Sequence, residues 1–318
     1  MKTFQIQEND ANQRLDKFLK KLLANASLSL IFKLNRKNKV KVDWKKRDNE
    51  YRLNIWETVS LYLNDKEFEL LTEKKEIPKI NSNSFKLDKK DIVFEDSHLL
   101  VLNKPAWMIV HPGDFKTKEL SLIQLVQDYL WDKLNSLTFK PSLVHRIDKD
   151  TSWIIIIAKT KKSLDSMLSQ LQNNKIEKIY LAITTSSPKP DNWKIDKKIL
   201  RIENAKNTNK VILDEKGQRA VTYYKKISDG IKWKYALLEC KLETWRMHQI
   251  RVHLASIWTP ILWDGVYWLK EENIFANKNY SISRQLLHAH RISFIHPESN
   301  KQMKLEARLK EDMQSLLD

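Results

Sequence analysis

Glycine is scarce in this chain, with four residues in 318 against an average usage near ~7%. So few glycines leave few residues able to enter the left-handed backbone region without cost, and other side chains must sit in the tight turns. Cysteine is scarcer still. Cys240 stands alone, which excludes an intramolecular disulfide and a zinc site built from clustered cysteines. Long apolar runs are missing: Ile154–Ala158 is far too short to cross a bilayer, and the stretch from Met1 to Glu8 has no basic region followed by an apolar core. A soluble, cytoplasmic protein without a membrane partner is the expectation. Acidic residues are outnumbered, 57 Lys and Arg against 40 Asp and Glu giving a net charge of +17. That excess points to a polyanion such as nucleic acid, although a lysine-rich genome gives the same number.

Hydrophobic residues make up 42% of the chain, enough over this length for one large domain and a small one. Leu15, Phe18, Leu19, Leu22 and Leu23 recur at helical spacing and predict a helix over 14–24. A second short helix, capped by Ser27 or Ser29, turns Ile31 and Leu34 inward and Lys33, Arg36 and Lys37 outward. Val40 and Val42 alternate as a strand, Asp43-Trp44 occupies a hairpin site that favours Asp-Gly, and Val59, Leu61 and Leu63 alternate as a further strand. Residues 12–65 thus predict a small module with one basic face. Residues 66–90 lose periodicity around Pro78 and read as a tether.

From 91 to 318 the patterns return. Strands are predicted at Ile92–Phe94, Leu99–Leu102 and Ile154–Ala158, and helices around Leu122–Leu130 and Leu164–Leu171. Lys178–Ile183 alternates so that Tyr180 faces away from Ile179, Leu181 and Ile183. Residues 185–219 are polar and irregular, with Lys197, Lys198, Arg201, Lys206 and Lys210, and suit a basic flap or a solvated hairpin equally. Strands follow at Ala220–Ile227 and Tyr235–Leu242. Met247, Ile250 and Leu254 then set one face of a helix, with Arg251 on the neighbouring flank.

Leu143–Thr160 reads L-V-H-R-I-D-K-D-T-S-W-I-I-I-I-A-K-T. A carboxylate at Asp148 with cationic neighbours can stay ionised in a partly dry pocket, and an ordinary loop salt bridge before a core strand is the plain alternative for any H-R-x-D. The full string resembles the signature H-R-(L/I)-D-x-x-T-S-G of the RluA-type pseudouridine synthases, the RluC- and RluD-like group, with Trp153 in place of Gly. Asn103-Lys104-Pro105, Val110-His111-Pro112, K-x-Y-x-A at Lys178–Ala182, T-W-R-M-H-Q-I-R-V-H at Thr244–His253, Pro260–Asp264 with Tyr267, and Leu287–His290 with Phe294 and His296-Pro297 follow in that family's order. Residues 12–65 resemble the S4-like RNA-binding module. The resemblance implies an α+β protein, a small S4-type module followed by a synthase domain whose mainly antiparallel mixed sheet is flanked by helices.

It also implies the chemistry. Uridine becomes pseudouridine by breaking the N-glycosidic bond, turning the base and joining C5 to C1′, which needs no metal, redox change or cofactor. Asp148 would be the essential carboxylate, acting as a nucleophile at the sugar or as the base that permits a glycal intermediate. Arg251 would hold it charged and aimed, and Tyr180 would contact the ring and assist loss of the C5 proton. Arg146 is the residue to fill the space left by an extruded base. Arg246 and His248 of the same motif as Arg251, with Arg14, Lys33, Arg36 and Lys37 of the front module, would contact RNA. His111 reads as a loop histidine shaping the pocket rim. His248 and His253 are off the i, i+4 ligand spacing and lack an acidic cluster, so no metal site is expected. A monomer acting on large-subunit ribosomal RNA or a ribosome precursor is the expectation. Rival readings are a catalytically silent RNA-binding or ribosome-assembly protein and a metal-dependent nuclease.

Tryptophan, at 11 residues, stands where glycine is short. Trp44, Trp56, Trp107, Trp153, Trp245, Trp258, Trp263 and Trp268 occupy positions at which the resembling sequences carry Gly. The expectation is that most of these are glycines in the native protein, UGA codons translated with the wrong code. A lineage that put the largest side chain into so many tight turns is the sterically costly alternative.

Overall fold

A computed structural model describes residues 1–72, 87–111, 120–130, 136–145, 148, 150–203, 209–267 and 270–318. The front of the chain forms β1 (Lys2–Gln5), a 3-10 turn (Glu8–Asp10), α1 (Leu15–Leu22), α2 (Leu28–Arg36), β2 (Val40–Val42), β3 (Thr58–Leu61) and α3 (Asp65–Thr72). The three strands make an antiparallel sheet in the order β1-β3-β2. Leu15, Phe18, Leu19 and Leu23 of the first helical stripe pack with Ile31, Leu34, Val40, Val42, Val59 and Leu61 in one core. Ser27 caps α2, its hydroxyl accepting the Leu30 N–H at 3.2 Å, and Lys33, Arg36 and Lys37 are exposed. The sheet also takes in Lys2–Gln5, ahead of residue 12. As an edge strand with exposed alternate positions it leaves only a weak sequence pattern.

The larger part of the chain contains β4 (Ile92–Glu95), β5 (Leu99–Lys104), α4 (Leu122–Leu130), β6 (Ser142–Leu143), β7 (Ser152–Ala158), α5 (Lys161–Gln172), β8 (Glu177–Thr184), β9 (Asn192–Glu203), β10 (Asn209–Leu213), β11 (Gln218–Ile231), β12 (Tyr235–Leu242), α6 (Gln249–Ala255), α7 (Lys270–Tyr280), β13 (Leu287–Ile295), β14 (Gln302–Glu306) and α8 (Glu311–Leu317). Among the described residues its strands form one sheet of eleven, ordered β10-β9-β11-β12-β8-β13-β7-β5-β4, with β14 on β13 and β6 on β7. The β13–β7 pair is parallel and its neighbours are antiparallel, so the sheet is mixed and mainly antiparallel. Ile154, Ile156 and Ala158 face one core while Ile155 and Ile157 face another beneath α4. A strand buried on both faces reads as an unbroken apolar run, which explains Ile154–Ala158.

One open alternative is settled and two expectations change, the first being the tether, since its opening residues belong to α3 (Asp65–Thr72), where Phe68 and Leu71 pack against the small core. The irregular stretch within 185–219 is largely the hairpin β9–β10 at the end of the sheet. Its buried residues Ile195 and Ile199 lie four apart, with exposed Asp196, Lys197 and Lys198 between them, so the period-2 signal of a strand is absent. Met247 is outside the helix, which begins at Gln249 because His248 takes a left-handed φ of 54°. Met247 packs instead with Val252, Ile199 and Val211.

Six tryptophans lie in the left-handed region: Trp44 (φ 65°), Trp56 (71°), Trp107 (69°), Trp233 (73°), Trp258 (63°) and Trp263 (60°). At Asp43-Trp44 both φ values are positive, and Val42 and Lys45 exchange backbone hydrogen bonds at 2.9 and 3.0 Å, the geometry of a two-residue hairpin turn that suits Asn-Gly or Asp-Gly. Trp233 is 96% and Trp258 87% exposed, so neither ring is repaid by burial. A Cβ in this region costs roughly 1–2 kcal/mol, and six such residues approach the whole net stability of about 5–15 kcal/mol of a folded domain. Trp233→Gly and Trp258→Gly are therefore each expected to stabilise the protein by about 1 kcal/mol, measured by urea unfolding followed by circular dichroism. Destabilisation by both would contradict the strain reading.

Candidate functional site

Asp148 lies in the connection between β6 and β7. The turn just after it is pinned from the far end of the chain: Gln285 Nε2 donates to Thr151 Oγ1 at 2.7 Å, and Ser152 Oγ lies 2.9 Å from His288 Nδ1. Burial pushes the His288 imidazole down to about 4. The neutral ring has Nε2 facing the Ala307 carbonyl at 3.4 Å, which can only accept, so Nδ1 accepts the Ser152 hydroxyl. On β13 one residue further, Ala289 pairs with Trp153 on β7 and with Tyr180 on β8. A single intervening strand thus brings the segment after Asp148 within roughly 10 Å of the Tyr180 strand.

Arg251 closes the site from α6. Its Nε and Nη2 donate to Asp264 at 2.7 and 2.9 Å, and its Nη1 donates to Asp148 Oδ2 at 3.0 Å. Asp264 is wholly buried and also accepts the backbone N–H groups of Val266 at 2.9 Å and Tyr267 at 3.1 Å. Burial disfavours the charge on Arg251, but the hydrogen bonds and charge of Asp264, then of Asp148, outweigh it and raise its pKa. Burial likewise opposes the charge of Asp264, and Arg251 with the two backbone donors pulls its pKa below the usual carboxylate range. The cation is therefore permanent and fixed in direction. Asp148 itself keeps 26% of its side chain exposed, so it is the member of the trio that an incoming molecule can reach.

Around this trio sit three rings. Tyr180 is buried, and burial followed by the charge of Asp148 pushes its phenol well above 10. His248 Nε2 is 3.7 Å from Asp148 Oδ2 and its Nδ1 is 3.1 Å from the Tyr267 hydroxyl. Burial lowers the His248 pKa against the opposing pull of Asp148. Tyr267, pushed up to about 12 by burial, lies beneath the Arg251 guanidinium at 5.4 Å. Lys104 is also fully buried, donating to the carbonyls of Pro105 at 2.7 Å and Met108 at 2.9 Å, and burial lowers it to about 7.

The structure thus brings together Asp148, Arg251, Tyr180 and His248. Asp264 and Tyr267 stood only as parts of a motif, and the signal that would have singled out Asp264 is a lone acid in an otherwise apolar string, Pro260–Asp264. Arg246 is exposed and its Nε reaches the Arg219 carbonyl at 3.3 Å. Arg14 is engaged by Asp16 at 2.8 Å and Glu50 at 3.0 Å, so a phosphate would compete with two carboxylates for it. Lys33, Arg36 and Lys37 make no ion pair among the described residues. Arg146 lies outside the described residues, as do Trp268 and the side chain of Trp153. Trp245 is half-buried, with the Lys178 ammonium 3.6 Å from its ring centre, and it lines a cavity of about 490 Å³ with Ile176, Glu177, Tyr223 and Lys241. That cavity does not include Asp148, Tyr180 or Arg251 in its walls. Among the described residues no helix is long and apolar enough to cross a membrane.

Comparison with known proteins adds to this geometry. The family model described as RNA pseudouridylate synthase matches residues 98–256. Ribosomal large subunit pseudouridine synthase C of Buchnera aphidicola subsp. Baizongia pistaciae is 32% identical over 312 residues, covering 96% of this chain and 92% of that protein. Ribosomal large subunit pseudouridine synthase D of Zymomonas mobilis subsp. mobilis is 38% identical over 231 residues, 71% of each. The solved structure of Human RNA Pseudouridylate Synthase Domain Containing 4 superposes with a TM-score of 0.58 at 22% identity, covering 72% of this chain and 92% of that one, a likeness of fold.

Two outcomes are expected from this site. Asp264→Ala leaves a buried guanidinium without its two-pronged partner and should cost about 3–5 kcal/mol, whereas Asp148→Ala, at a partly exposed carboxylate, should cost about 1 kcal/mol or less; urea unfolding of the two variants measures the difference. Burial holds His253 and His288 down to about 4, below the ~6.5 of an unfolded histidine. Their neutral forms therefore favour folding above pH ~6.5, and that contribution, on the order of 3 kcal/mol each, is lost as pH falls toward about 4. Unfolding titrations between these limits should show the decline, with a shallower slope for His253→Gln.

Proposed function

Since the chain belongs to the RNA pseudouridylate synthase family, we propose that it isomerises particular uridines of large-subunit ribosomal RNA to pseudouridine, with Asp148 as the essential carboxylate. The enzyme class follows from the family: an RNA pseudouridine synthase, an isomerase. The ribosomal substrate follows the names of the relatives that match over most of the chain. The observation that carries the assignment of Asp148 is its hydrogen bond from Arg251 Nη1 at 3.0 Å, with Arg251 locked on its other edge by Asp264.

In this reading the exposed oxygens of Asp148 meet the sugar of a nucleotide swung out of its stack. The permanent guanidinium keeps the carboxylate aimed while the glycosidic bond breaks and C5 turns toward C1′. Tyr180, with its raised pKa, stays a neutral phenol, which suits contact with the uracil ring better than service as a base. His248 borders the same site, Arg246 is assigned to RNA from its place in the same motif, and Arg146 is assigned to the space of the extruded base. The front module, by its S4-like sequence pattern and its small three-stranded sheet packed with α1 and α2, is assigned to RNA through Lys33 and Arg36 on α2 and Lys37 at its end.

We further propose that Trp44, Trp56, Trp107, Trp153, Trp245, Trp258, Trp263 and Trp268 are glycine in the native protein, and Trp233 joins them. The support at Trp44, Trp56, Trp107, Trp233, Trp258 and Trp263 is the left-handed backbone. At Trp245 it is the motif position Thr244-Trp245-Arg246, where the ring lies against Lys178 of β8, the strand that also carries Tyr180. Should residue 245 be Trp in the native chain, that ring favours the silent RNA-binding alternative.

Two measurements test these assignments. Protein made with glycine at the nine positions should release tritium from C5-labelled uridine in ribosomal RNA, and its Asp148→Asn variant should lose turnover by at least about a thousandfold while binding the RNA comparably; an Asn variant with full activity rejects the assignment. Peptide mass spectrometry of the protein from its native source should read Gly at these positions, and Trp there ends the recoding proposal.

A further inference from the structure

We infer that the front module is clasped to the larger domain, not merely tethered to it, and that Asp10 is the positioning residue setting the span between the basic face of α2 and Asp148. The inference rests on the proposed RNA-binding role of that module. Asp10 is completely buried, and its carboxylate accepts four hydrogen bonds from a loop 126 to 128 residues away: Ser136 Oγ at 3.0 Å, Leu137 N at 2.9 Å, Thr138 N at 2.8 Å and Thr138 Oγ1 at 2.6 Å. Consecutive backbone N–H groups converging on one anion form a nest that a neutral side chain would fill poorly.

The contact is reinforced on both sides. Gln13 Nε2 donates to Thr138 Oγ1 at 2.9 Å while its Oε1 accepts Lys21 Nζ at 2.9 Å. Asn9 Oδ1 accepts the N–H of Lys161, the first residue of α5, at 3.1 Å. Residues 9–13 therefore grip the loop before β6 and the start of the helix after β7, and these two grips bracket the segment that carries Asp148.

That bracketing is what makes the contact more than an anchor. Released from the clasp, the module would be joined to the larger domain only through the chain between α3 and β4, and its separation from the catalytic carboxylate would no longer be fixed. Clasped, it holds α2 and Asp148 at one separation, so an RNA is modified efficiently only when its phosphates and its target uridine match that separation. The clasp is polar, and polar contacts between domains are of modest net strength, so single substitutions should open it.

The test uses the full chain and two RNAs carrying the same mapped target uridine: a short hairpin that reaches only the catalytic domain, and a long structured ribosomal RNA fragment that reaches both parts. Asp10→Ala and Thr138→Val break the clasp from opposite sides. Both should lower kcat/KM on the long RNA about tenfold or more and leave the hairpin rate unchanged. In a second arm, Asn9→Cys with Lys161→Cys is bridged by a short bis-maleimide; the remaining Cys240 is buried, so the bridge is the reactive site. The bridged protein should keep its activity on the long RNA. Wild-type rates for both clasp variants on the long RNA, equal losses on both RNAs, or loss of long-RNA activity on bridging would each overturn the inference. All variants are made in the chain with glycine at the nine positions, and no activity of that parent chain on the hairpin would instead count against the proposed function.

Discussion

A guanidinium shared between two carboxylates is the interaction on which the site depends. Arg251 is buried, and a buried cation is tolerated only when its donors are satisfied. Asp264 meets that requirement with two parallel hydrogen bonds and is itself held by two backbone N–H groups. The remaining edge of the guanidinium has one direction left, and it points at Asp148. The two acids thus divide the work by environment: the wholly buried one fixes the cation, and the partly exposed one is presented to whatever enters. Neither could exchange roles, because a buried Asp148 would reach no substrate and an exposed Asp264 would leave the arginine loose.

The sheet supplies the distances. Asp148 and Arg251 are 103 residues apart in the chain, and Tyr180 lies on a third element between them. The parallel insertion of β13 between β7 and β8 makes Ala289 a neighbour of both Trp153 and Tyr180. Ala289 is itself buried in the core that takes in Tyr180 and Ile154. The neutral His288 behind it ties β13 to the turn after Asp148, so a buried uncharged histidine contributes to the site through packing and hydrogen bonding without touching a substrate.

The scarcity of glycine runs through the same architecture. Asp43-Trp44 and Lys232-Trp233 each have paired positive φ values, the first in a two-residue turn between Val42 and Lys45 and the second in the three-residue connection between Ile231 and Tyr235, and the flanking strands demand that backbone whatever residue occupies it. Backbone geometry marks a position that sequence likeness did not: Trp233 lies in no motif, yet it carries the largest left-handed φ among the tryptophans. Trp245 shows the opposite, marked by motif but not by a left-handed φ, so its case does not rest on backbone strain.

Much of the protein was legible in the chain. The helical stripe from Leu15 to Leu23, the cap at Ser27, the two-faced strand Ile154–Ala158 and the alternation that turns Tyr180 from Leu181 are all local patterns, and local patterns survive into the fold because hydrogen-bond geometry imposes a period on burial. Asp148 and Arg251 were visible for a different reason, as residue strings resembling a known family. What the sequence alone did not determine lies in contacts across long separations: the second partner of Arg251 at Asp264, the left-handed His248 that delays the start of the helix to Gln249, the entry of Lys2–Gln5 into the small sheet, the strand character of the Lys-rich hairpin, and the clasp of Asp10 on Ser136–Thr138. Each depends on which distant groups meet in three dimensions, and a chain read in one dimension carries no period or spacing that records such a meeting.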